Sequence, residues 1–201
     1  MDHNTVLEFW FGADSEQQSS ADIAQSQSAL WWGKDDAIDQ QILQRFEPTL
    51  KALISGQEQS WLETAEGKLA AILVLDQFSR NMYRSTGASF TQDALALHWA
   101  LQMIRNGEDK QLSLIQRVFL YMPLEHSEQL NIQKLCLEKF KQLEAEAPQS
   151  FIKQAKGYVS FAQAHLDIIE QFGRFPHRNT ILNRPSTEEE IEFLQQPGSS
   201  F

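Results

Sequence analysis

Histidines, arginines, acids and amides gather in three short polar stretches of this sequence. They are L-D-Q-F-S-R-N-M-Y-R (residues 75–84), Y-M-P-L-E-H-S-E (121–128) and F-G-R-F-P-H-R-N (172–179). Arginine offers a planar fork of donors that fits a carboxylate or a phosphate. Histidine can give or take a proton near neutral pH. The three stretches therefore predict a site for a small anion, with acid–base chemistry as a second interpretation.

The side chains in these stretches divide by the role that each would play. His126 and His177 are the candidate catalytic acids or bases. The remaining candidates would hold a ligand or orient a histidine, since arginines pair with negative charge and amides donate neutral hydrogen bonds. These predicted ligand-binding residues are Asp76, Arg80, Asn81, Arg84, Glu128, Arg174, Arg178 and Asn179.

Three functions fit this pattern, so whether the protein is an enzyme stays open at this point. In the first, it binds a small anionic ligand or an acidic peptide in a cleft lined by the three stretches. In the second, His126 or His177 acts as acid or base on a substrate anchored by Arg80 and Arg174. In the third, buried ion pairs fix the helix packing, and the function lies in surface contacts with a protein partner. All three functions predict that the stretches meet in space. If the stretches lay apart, each would have to supply hydrogen-bond partners for its own buried polar groups.

The helix that carries the first stretch has an apolar half and a polar half. Residues 69–75, L-A-A-I-L-V-L, are apolar on every side, which is typical of a helix wrapped by the rest of its domain. Asp76 and Arg80 follow four residues apart and share one face, which Arg84 continues. We therefore expect a buried central helix that presents charges and amides at its end.

Helical periodicity continues along the rest of the chain. It predicts five substantial helices joined by short loops, with Pro48 ending or kinking one, Pro123 halting another, and Gly107 and Gly173 ending two more. Because consecutive helices with short connections are usually antiparallel neighbours, the predicted fold is all-α, an array of antiparallel helical hairpins. We expect a single domain over residues 1–201, in which the Ser-, Gln- and Asp-rich segment 13–29 is a mobile loop.

Net charge, cysteine content and missing motifs exclude several kinds of binding partner, cofactor and cellular location. The formal net charge is −10, which disfavours nucleic acid and anionic membrane surfaces as partners. Cys136 is the lone cysteine, so no intrachain disulfide is expected. No basic leader with a long apolar run begins the sequence, which predicts a cytoplasmic protein. Neither a zinc signature nor a Gly-rich phosphate loop occurs, and nearby arginines would repel a cation, so we expect no metal and no cofactor.

Longer strings of the sequence match the pattern of a known family. They are V-L-E-F-W-F-G, W-W-G-K-D-D-A-I-D, G-K-L-A-A-I-L-V-L-D-Q-F-S-R-N, Y-M-P-L-E-H-S-E, and F-G-R-F-P-H-R-N followed by R-P-S-T-E-E-E. At these residues the chain resembles the domain of unknown function 924 family over nearly its whole length. One position departs from the pattern, since Ser79 stands where D-Q-F-P-R-N would have proline. The resemblance implies a tetratricopeptide-like fold, a right-handed superhelix of helical hairpins, and it implies no reaction.

Overall fold

The computed structural model describes residues 1–200, and every regular element within that range is helical. The prediction of an all-α chain is therefore confirmed. No helix in the described range is both long and apolar enough to cross a membrane. The α-helices found there are α1 (His3–Phe11), α2 (Ser20–Ser26), α3 (Ser28–Trp32), α4 (Asp36–Ile54), α5 (Ala65–Leu73), α6 (Ser79–Met82), α7 (Asp93–Asn106), α8 (Leu114–Glu125), α9 (Leu130–Glu146), α10 (Ile152–Phe172) and α11 (Glu188–Phe193).

Helix α5 occupies the middle of the core. Every residue from Leu69 to Val74 is fully buried, as the all-round apolar pattern predicted. The helix packs against α1, α7 and α8, and against a 3-10 turn over Gln59–Glu63. Gly67 permits the contact with that turn, since a Cβ atom at this position would lie 2.1 Å from the carbonyl oxygen of Trp61. The polar residues that follow α5 are thus anchored to its fully buried second half.

Between α5 and α6 the chain forms one π-helical turn over Val74–Phe78. A π-turn inserts an extra residue into the helix and rotates the side chains that follow, and such turns are frequent at functional sites. Asp76 lies within the turn and is buried. Regular helical periodicity does not anticipate this turn. Helix α6 ends at Met82, two residues before Arg84, so Arg84 does not continue the face of Asp76 and Arg80.

Helices α8, α9 and α10 pack against one another in sequence order, and the α9–α10 contact is the more extensive of the two. Short connections over residues 126–129 and 147–151 join them. A capping box between Ser113 and Gln116 starts α8. Gly173, with a left-handed φ of 68°, ends α10 as predicted, and Gly107 ends α7 in the same way.

Two prolines lie inside helices that they were predicted to interrupt. Helix α4 continues through Pro48, and Pro123 lies in the last turns of α8, so neither proline ends its helix. Proline removes one backbone donor and leaves the carbonyl four residues earlier without its partner. Gln44 and Pro48 are both exposed, so that carbonyl can turn to water. At Pro123 only Leu124 and Glu125 of α8 follow, so little of the helix lies beyond the missing hydrogen bond.

The segment 13–29 is helical over much of its length, so the prediction of a loop is wrong for most of it. A 3-10 turn covers Ser15–Gln17, and α2 and α3 follow it. Ser19 caps α2 by accepting a hydrogen bond from the backbone nitrogen of Asp22 at 3.2 Å. Ile23 and Ala24 are buried in the core. Two buried apolar residues are too few to produce a visible period, and the many polar residues suggested a loop.

Buried apolar side chains form two clusters in the described part of the chain. The larger one includes residues from Val6 in α1 to Leu166 in α10. The smaller one consists of Ile168, Ile169 and Phe175, with Phe172 and Phe193 packed against it. The segment from residue 174 to α11 therefore packs through a cluster of its own at the end of α10.

Candidate functional site

The structure brings the three polar stretches together beyond the end of α8. Nδ1 of His126, from the second stretch, lies 2.7 Å from Oδ1 of Asp76, from the first. Nη1 of Arg178, from the third, donates a hydrogen bond to the carbonyl oxygen of His126 at 2.9 Å. Glu128 accepts a hydrogen bond from the backbone nitrogen of Phe175 at 2.8 Å. The predicted convergence of the stretches is confirmed, and their side chains fall into three groups.

The first group, here called the buried centre, is formed around the fully buried carboxylate of Asp76. This carboxylate accepts a hydrogen bond from Nε2 of Gln77, and its Oδ1 lies 3.4 Å from Nη1 of Arg80. Burial alone would raise the pKa of Asp76, but the charge of Arg80 and the contact with His126 hold that pKa well below its usual value. Asp76 is therefore ionised at neutral pH. The members of the buried centre are Asp76, Arg80, Asp93, His126 and Arg178.

Arg80 is held by protein acceptors on both terminal nitrogens. Nη1 and Nη2 donate to the two oxygens of Asp93 at 2.9 and 3.2 Å, a bidentate pair. Nη1 also lies 3.3 Å from the carbonyl oxygens of Asp76 and Ser89. Arg80 therefore acts as an internal counter-charge for two aspartates, and little of its donor capacity remains for a ligand.

His126 is mostly buried, with 13% of its side chain exposed. An ionised carboxylate can only accept, so Nδ1 carries the proton that faces Asp76 and Nε2 of the neutral ring carries a lone pair. Burial, and next the charge of Arg80, lowers the pKa of His126, so the ring is neutral at pH 7. Within residues 1–200 no protein group forms a hydrogen bond to Nε2. A carboxylate that orients one nitrogen while the other stays a base is the arrangement used in histidine catalysis.

Arg178 differs from Arg80 in having no close carboxylate. Its shortest carboxylate distance is 3.8 Å, from Nη1 to Asp93, and its Cζ lies 4.4 and 4.9 Å from the ring centroids of Phe175 and Phe90. Nε is buried and has no hydrogen-bond acceptor in the described part of the chain. Burial, and next the charge of Arg80, lowers the pKa of Arg178 to about 10. The group is thus charged at pH 7, desolvated and incompletely paired, and an anion would complete its interactions.

His177 lies beside the buried centre, with its ring centroid 5.6 Å from that of Phe175. Burial, and next the charge of Arg178, lowers the pKa of His177 to about 4. An imidazole with so low a pKa is neutral at pH 7 and takes up a proton only weakly. The carboxylate partner at Nδ1 makes His126 the stronger candidate for a base.

The second group, here called the clamp, is a closed set of ion pairs and amide contacts. Nη1 and Nη2 of Arg184 donate to the two oxygens of Glu128 at 2.7 and 2.9 Å. Nε and Nη2 of Arg174 donate to the two oxygens of Glu190 at 2.6 and 2.8 Å. Asn179 joins the two pairs, accepting from Nε of Arg184 at 3.0 Å and donating to Glu190 at 3.2 Å.

The clamp holds the C-terminal segment against the loop that follows α8. Hydrogen bonds from Arg174 lower the pKa of Glu190 to about 2. Burial opposes ionisation of Glu128, but the hydrogen bonds from Arg184 outweigh it and lower the pKa of that carboxyl. The predicted ligand-binding residues Glu128, Arg174 and Asn179 thus lie in a group whose charges are paired within the protein.

The third group lies between α4 and the end of α6 and consists of Asp39, Asn81 and Arg84. Nδ2 of Asn81 and Nη2 of Arg84 both donate to Oδ1 of Asp39 at 2.8 Å, and Nε of Arg84 donates to Oδ2. The hydrogen bonds from Arg84 are the main reason that the pKa of Asp39 is lowered. A polar cleft of about 350 Å³ opens beside these three residues. The structure therefore does not bring Asn81 and Arg84 to His126.

Several partners of the candidate residues were not predicted from the sequence. Each is distant along the chain, with a separation of 13 residues between Arg80 and Asp93 and of 45 between Arg84 and Asp39. Asp93 and Glu190 lie in the first turns of α7 and α11. Acids are common there because they favour the helix dipole, so their position alone does not reveal an arginine partner. The partners missed in this way are Asp39, Asp93, Arg184 and Glu190.

In residues 1–200, no group of three or more His, Cys, Asp and Glu side chains is arranged to hold a metal ion.

Cys136 is buried, and burial raises the pKa of its thiol. A second cleft, of about 200 Å³, has a largely apolar lining that includes Leu62 and Trp99.

A family model described as "Bacterial protein of unknown function (DUF924)" matches residues 6–198. A similar solved structure is that of the protein of unknown function ATU0120 from Agrobacterium tumefaciens, which is 34% identical to this chain. That match covers 96% of each chain and has a TM-score of 0.78. No curated protein matches the sequence. The resemblance carried by the sequence strings is confirmed, and no activity comes with either match.

Proposed function

The chain belongs to the DUF924 family of bacterial proteins of unknown function, and we propose that it binds a small anionic molecule at the buried centre. The incomplete pairing of Arg178 carries this proposal, since its buried Nε has no acceptor within residues 1–200. A buried charge without full pairing lowers stability, and an anion would remove that cost. A compact ligand fits better than an acidic peptide, because only 13% of the His126 side chain and 8% of the Arg178 side chain are exposed.

The two unsatisfied groups define what the ligand would offer. Arg178 would receive a carboxylate or phosphate oxygen on its guanidinium. Nε2 of His126 would accept a hydrogen bond, so a hydroxyl or another protonated group close to the anion would be recognised there. Asp76 would keep the ring of His126 in place through its contact with Nδ1, and Arg80 would balance the charge of Asp76. The carbonyl oxygen of His126 would in turn hold Arg178.

Isothermal titration calorimetry with acetate, lactate, oxalate and inorganic phosphate tests this proposal. Wild-type protein is expected to bind at least one of these anions, and Arg178→Met is expected to abolish that binding. Arg105→Met is the matched control, because Arg105 is an exposed arginine on α7 and its loss changes the net charge by the same amount. Equal weakening by both variants would mean general charge attraction and would refute a site at Arg178.

A second function, acid–base catalysis, is favoured by the Asp76–His126 contact. An ionised carboxylate at Nδ1 stabilises the protonated ring during proton transfer, and Nε2 is the atom that would take the proton. A panel of small carboxylic and phosphoric esters would be tested for hydrolysis. Any activity found should be lost in His126→Gln and kept in His98→Gln, which replaces an exposed histidine. Activity that survives in His126→Gln would refute His126 as the base, and no hydrolysis of any ester would count against this second function.

Three further expectations concern the architecture, the number of domains and the cellular location. The packing of α8, α9 and α10 in sequence order through short loops supports a tetratricopeptide-like array of antiparallel hairpins. The large cluster from Val6 to Leu166 supports a single domain, for which one cooperative unfolding transition is the test. The lone buried Cys136 is consistent with a cytoplasmic location, which fractionation of the native cells would check.

A further inference from the structure

We propose a second binding site, in the polar cleft between α4 and α6, for a free α-amino acid. The cleft has a volume of about 350 Å³, within the range of about 300–1,000 Å³ that is usual for small-molecule sites. It shares no residue with the buried centre, so it stands or falls independently of the anion site proposed there. Its polar lining consists of Asp36, Asp39 and Gln40 from α4, together with Asn81, Arg84 and Ser85.

Arg84 provides the anion-binding half of this site. Asp39 engages Nε and Nη2 of the guanidinium, which fixes its orientation. Nη1 makes no hydrogen bond to any group in residues 1–200, and 34% of the side chain is exposed. The unused end of a guanidinium, formed by Nη1 and the second proton of Nη2, can donate hydrogen bonds to both oxygens of a carboxylate. A ligand carboxylate would therefore be held against Arg84 without disturbing its pair with Asp39.

Asp36 provides the cation-binding half. It is exposed, it makes no hydrogen bond or ion pair with other residues of the described range, and it lines the same cleft. It precedes Asp39 by three positions on α4, so both carboxylates lie on one face of the helix. The side-chain oxygen of Asn81 is unused as well, since this amide only donates to Asp39. These acceptors suit an ammonium group close to the carboxylate on Arg84.

The turn at the cleft margin has an unusual backbone conformation. Ser85 has a φ of 64°, in the left-handed region that residues with a Cβ atom seldom adopt. Such conformations persist where the surrounding structure enforces them, and they are frequent at ligand sites. Met82, which is largely buried, supplies an apolar wall beside this turn. A carboxylate and an ammonium beside an apolar surface are the features of an α-amino acid with an apolar side chain.

Calorimetric titration of the full chain with free L-α-amino acids, one at a time, tests the proposal. The tightest binder is then compared with its N-acetyl derivative, which lacks the ammonium, and with its carboxamide, which lacks the carboxylate. Each derivative is expected to bind about tenfold more weakly or worse, since each loses one charge-assisted interaction. Failure of every free amino acid to bind, or equal binding of the N-acetyl derivative, would overturn the proposal.

Asp36→Asn assigns the binding to this cleft without endangering the fold, because Asp36 is exposed and unpaired in the described range. This variant is expected to bind the free amino acid about tenfold more weakly and the N-acetyl derivative as wild type does. Glu66→Gln is the matched control, because Glu66 is an exposed acid in the first turn of α5. Equal effects of the two variants would place the binding elsewhere and refute the assignment. Arg178→Met should leave amino-acid binding unchanged.

Discussion

The clamp and the buried centre are built from the same residue types, yet they satisfy them to different degrees. In the clamp, Arg174 and Arg184 each make a bidentate pair with a glutamate. In the buried centre, Arg178 has one hydrogen bond to a carbonyl oxygen and a buried Nε without an acceptor in the described range. Arg174 and Arg178, four positions apart in one sequence stretch, therefore have different surroundings, and of these two only Arg178 has a buried donor without an acceptor in residues 1–200.

The largest expected effect is the loss of the carboxylate at the heart of the buried centre. Asp76→Ala should lower the free energy of unfolding by about 3–5 kcal/mol, because it removes the buried carboxylate between Arg80 and His126 and leaves Asp93 as the carboxylate partner of Arg80. Denaturant unfolding monitored by tryptophan fluorescence would measure it. Asp93→Ala should have a smaller effect, since Arg80 would keep Asp76. A loss below about 1 kcal/mol for Asp76→Ala, the level of an exposed pair, would show that Asp76 does not organise the centre.

The two regions are also expected to lose stability in different pH ranges. The unfolded imidazole takes up a proton near its ordinary pKa of 6.5, whereas burial lowers the pKa of His177 to about 4 and also lowers that of His126. The unfolded state then binds more protons below pH 6.5, so stability falls toward pH 4, by up to about 1.4 kcal/mol per pH unit for each histidine. The clamp loses stability at lower pH than the buried histidines do. The pKa of Glu190 is lowered from 4.5 to about 2, so its contribution to the free energy of unfolding is lost only as the pH falls through that range.

Unfolding free energies measured across this pH range separate the two contributions. His177→Gln should reduce the loss of stability between pH 6.5 and pH 4. Glu190→Gln should leave that part of the profile unchanged and flatten the part below pH 4.5. If His177→Gln left the slope above pH 4 as it is in wild type, the neutral buried state of His177 would be wrong.

A smaller effect is expected from breaking the clamp. Arg184→Met should lower the free energy of unfolding by about 1–2 kcal/mol, because its bidentate pair with Glu128 is partly exposed and screened by water. The loss should shrink at high salt, where an exposed pair contributes less. Anion binding at the buried centre should remain in this variant. Loss of anion binding together with unchanged stability would reverse the roles assigned to the two regions.

The smallest effect on stability is expected at Arg178. Arg178→Met should change the free energy of unfolding by less than about 1 kcal/mol, or raise it, because it removes a buried charge that the protein does not fully pair. Urea unfolding of this variant beside Arg184→Met gives the direct contrast. A loss of several kcal/mol would show that the contacts with Phe90, Phe175 and the carbonyl of His126 already satisfy the arginine.

The helices were largely predictable from the sequence because apolar periodicity and end signals are local. The apolar run at residues 69–75 predicted the buried helix, and Gly107 and Gly173 end helices with left-handed φ angles. Pro48 and Pro123 misled the prediction of helix ends, since a single lost hydrogen bond is tolerated beside solvent or near a terminus. Helix α2 was missed because Ile23 and Ala24 alone form its buried face.

The convergence of the three stretches was predictable, whereas the pairing within them was not. Buried polar groups need partners, which is a general constraint, and it correctly placed Asp76, His126 and Arg178 together. Which acid neutralises which arginine depends on contacts over long sequence separations, such as the 56 residues between Glu128 and Arg184. The π-turn at Val74–Phe78 adds a rotation that no regular period contains. The end of α6 at Met82 places Arg84 outside the helix, where it reaches Asp39.

Nitrogen-15 NMR of the arginine Nε–H groups during titration with acetate, lactate, oxalate and phosphate tests the central distinction most directly. The Nε–H of Arg178 has no protein acceptor within residues 1–200, whereas those of Arg174 and Arg184 donate to Glu190 and Asn179. We expect one of these anions to shift the Arg178 signal in a saturable way and to leave the two clamp signals in place. Movement of the clamp signals with an unchanged Arg178 signal, or no saturable shift with any anion, would contradict an anion site at the buried centre.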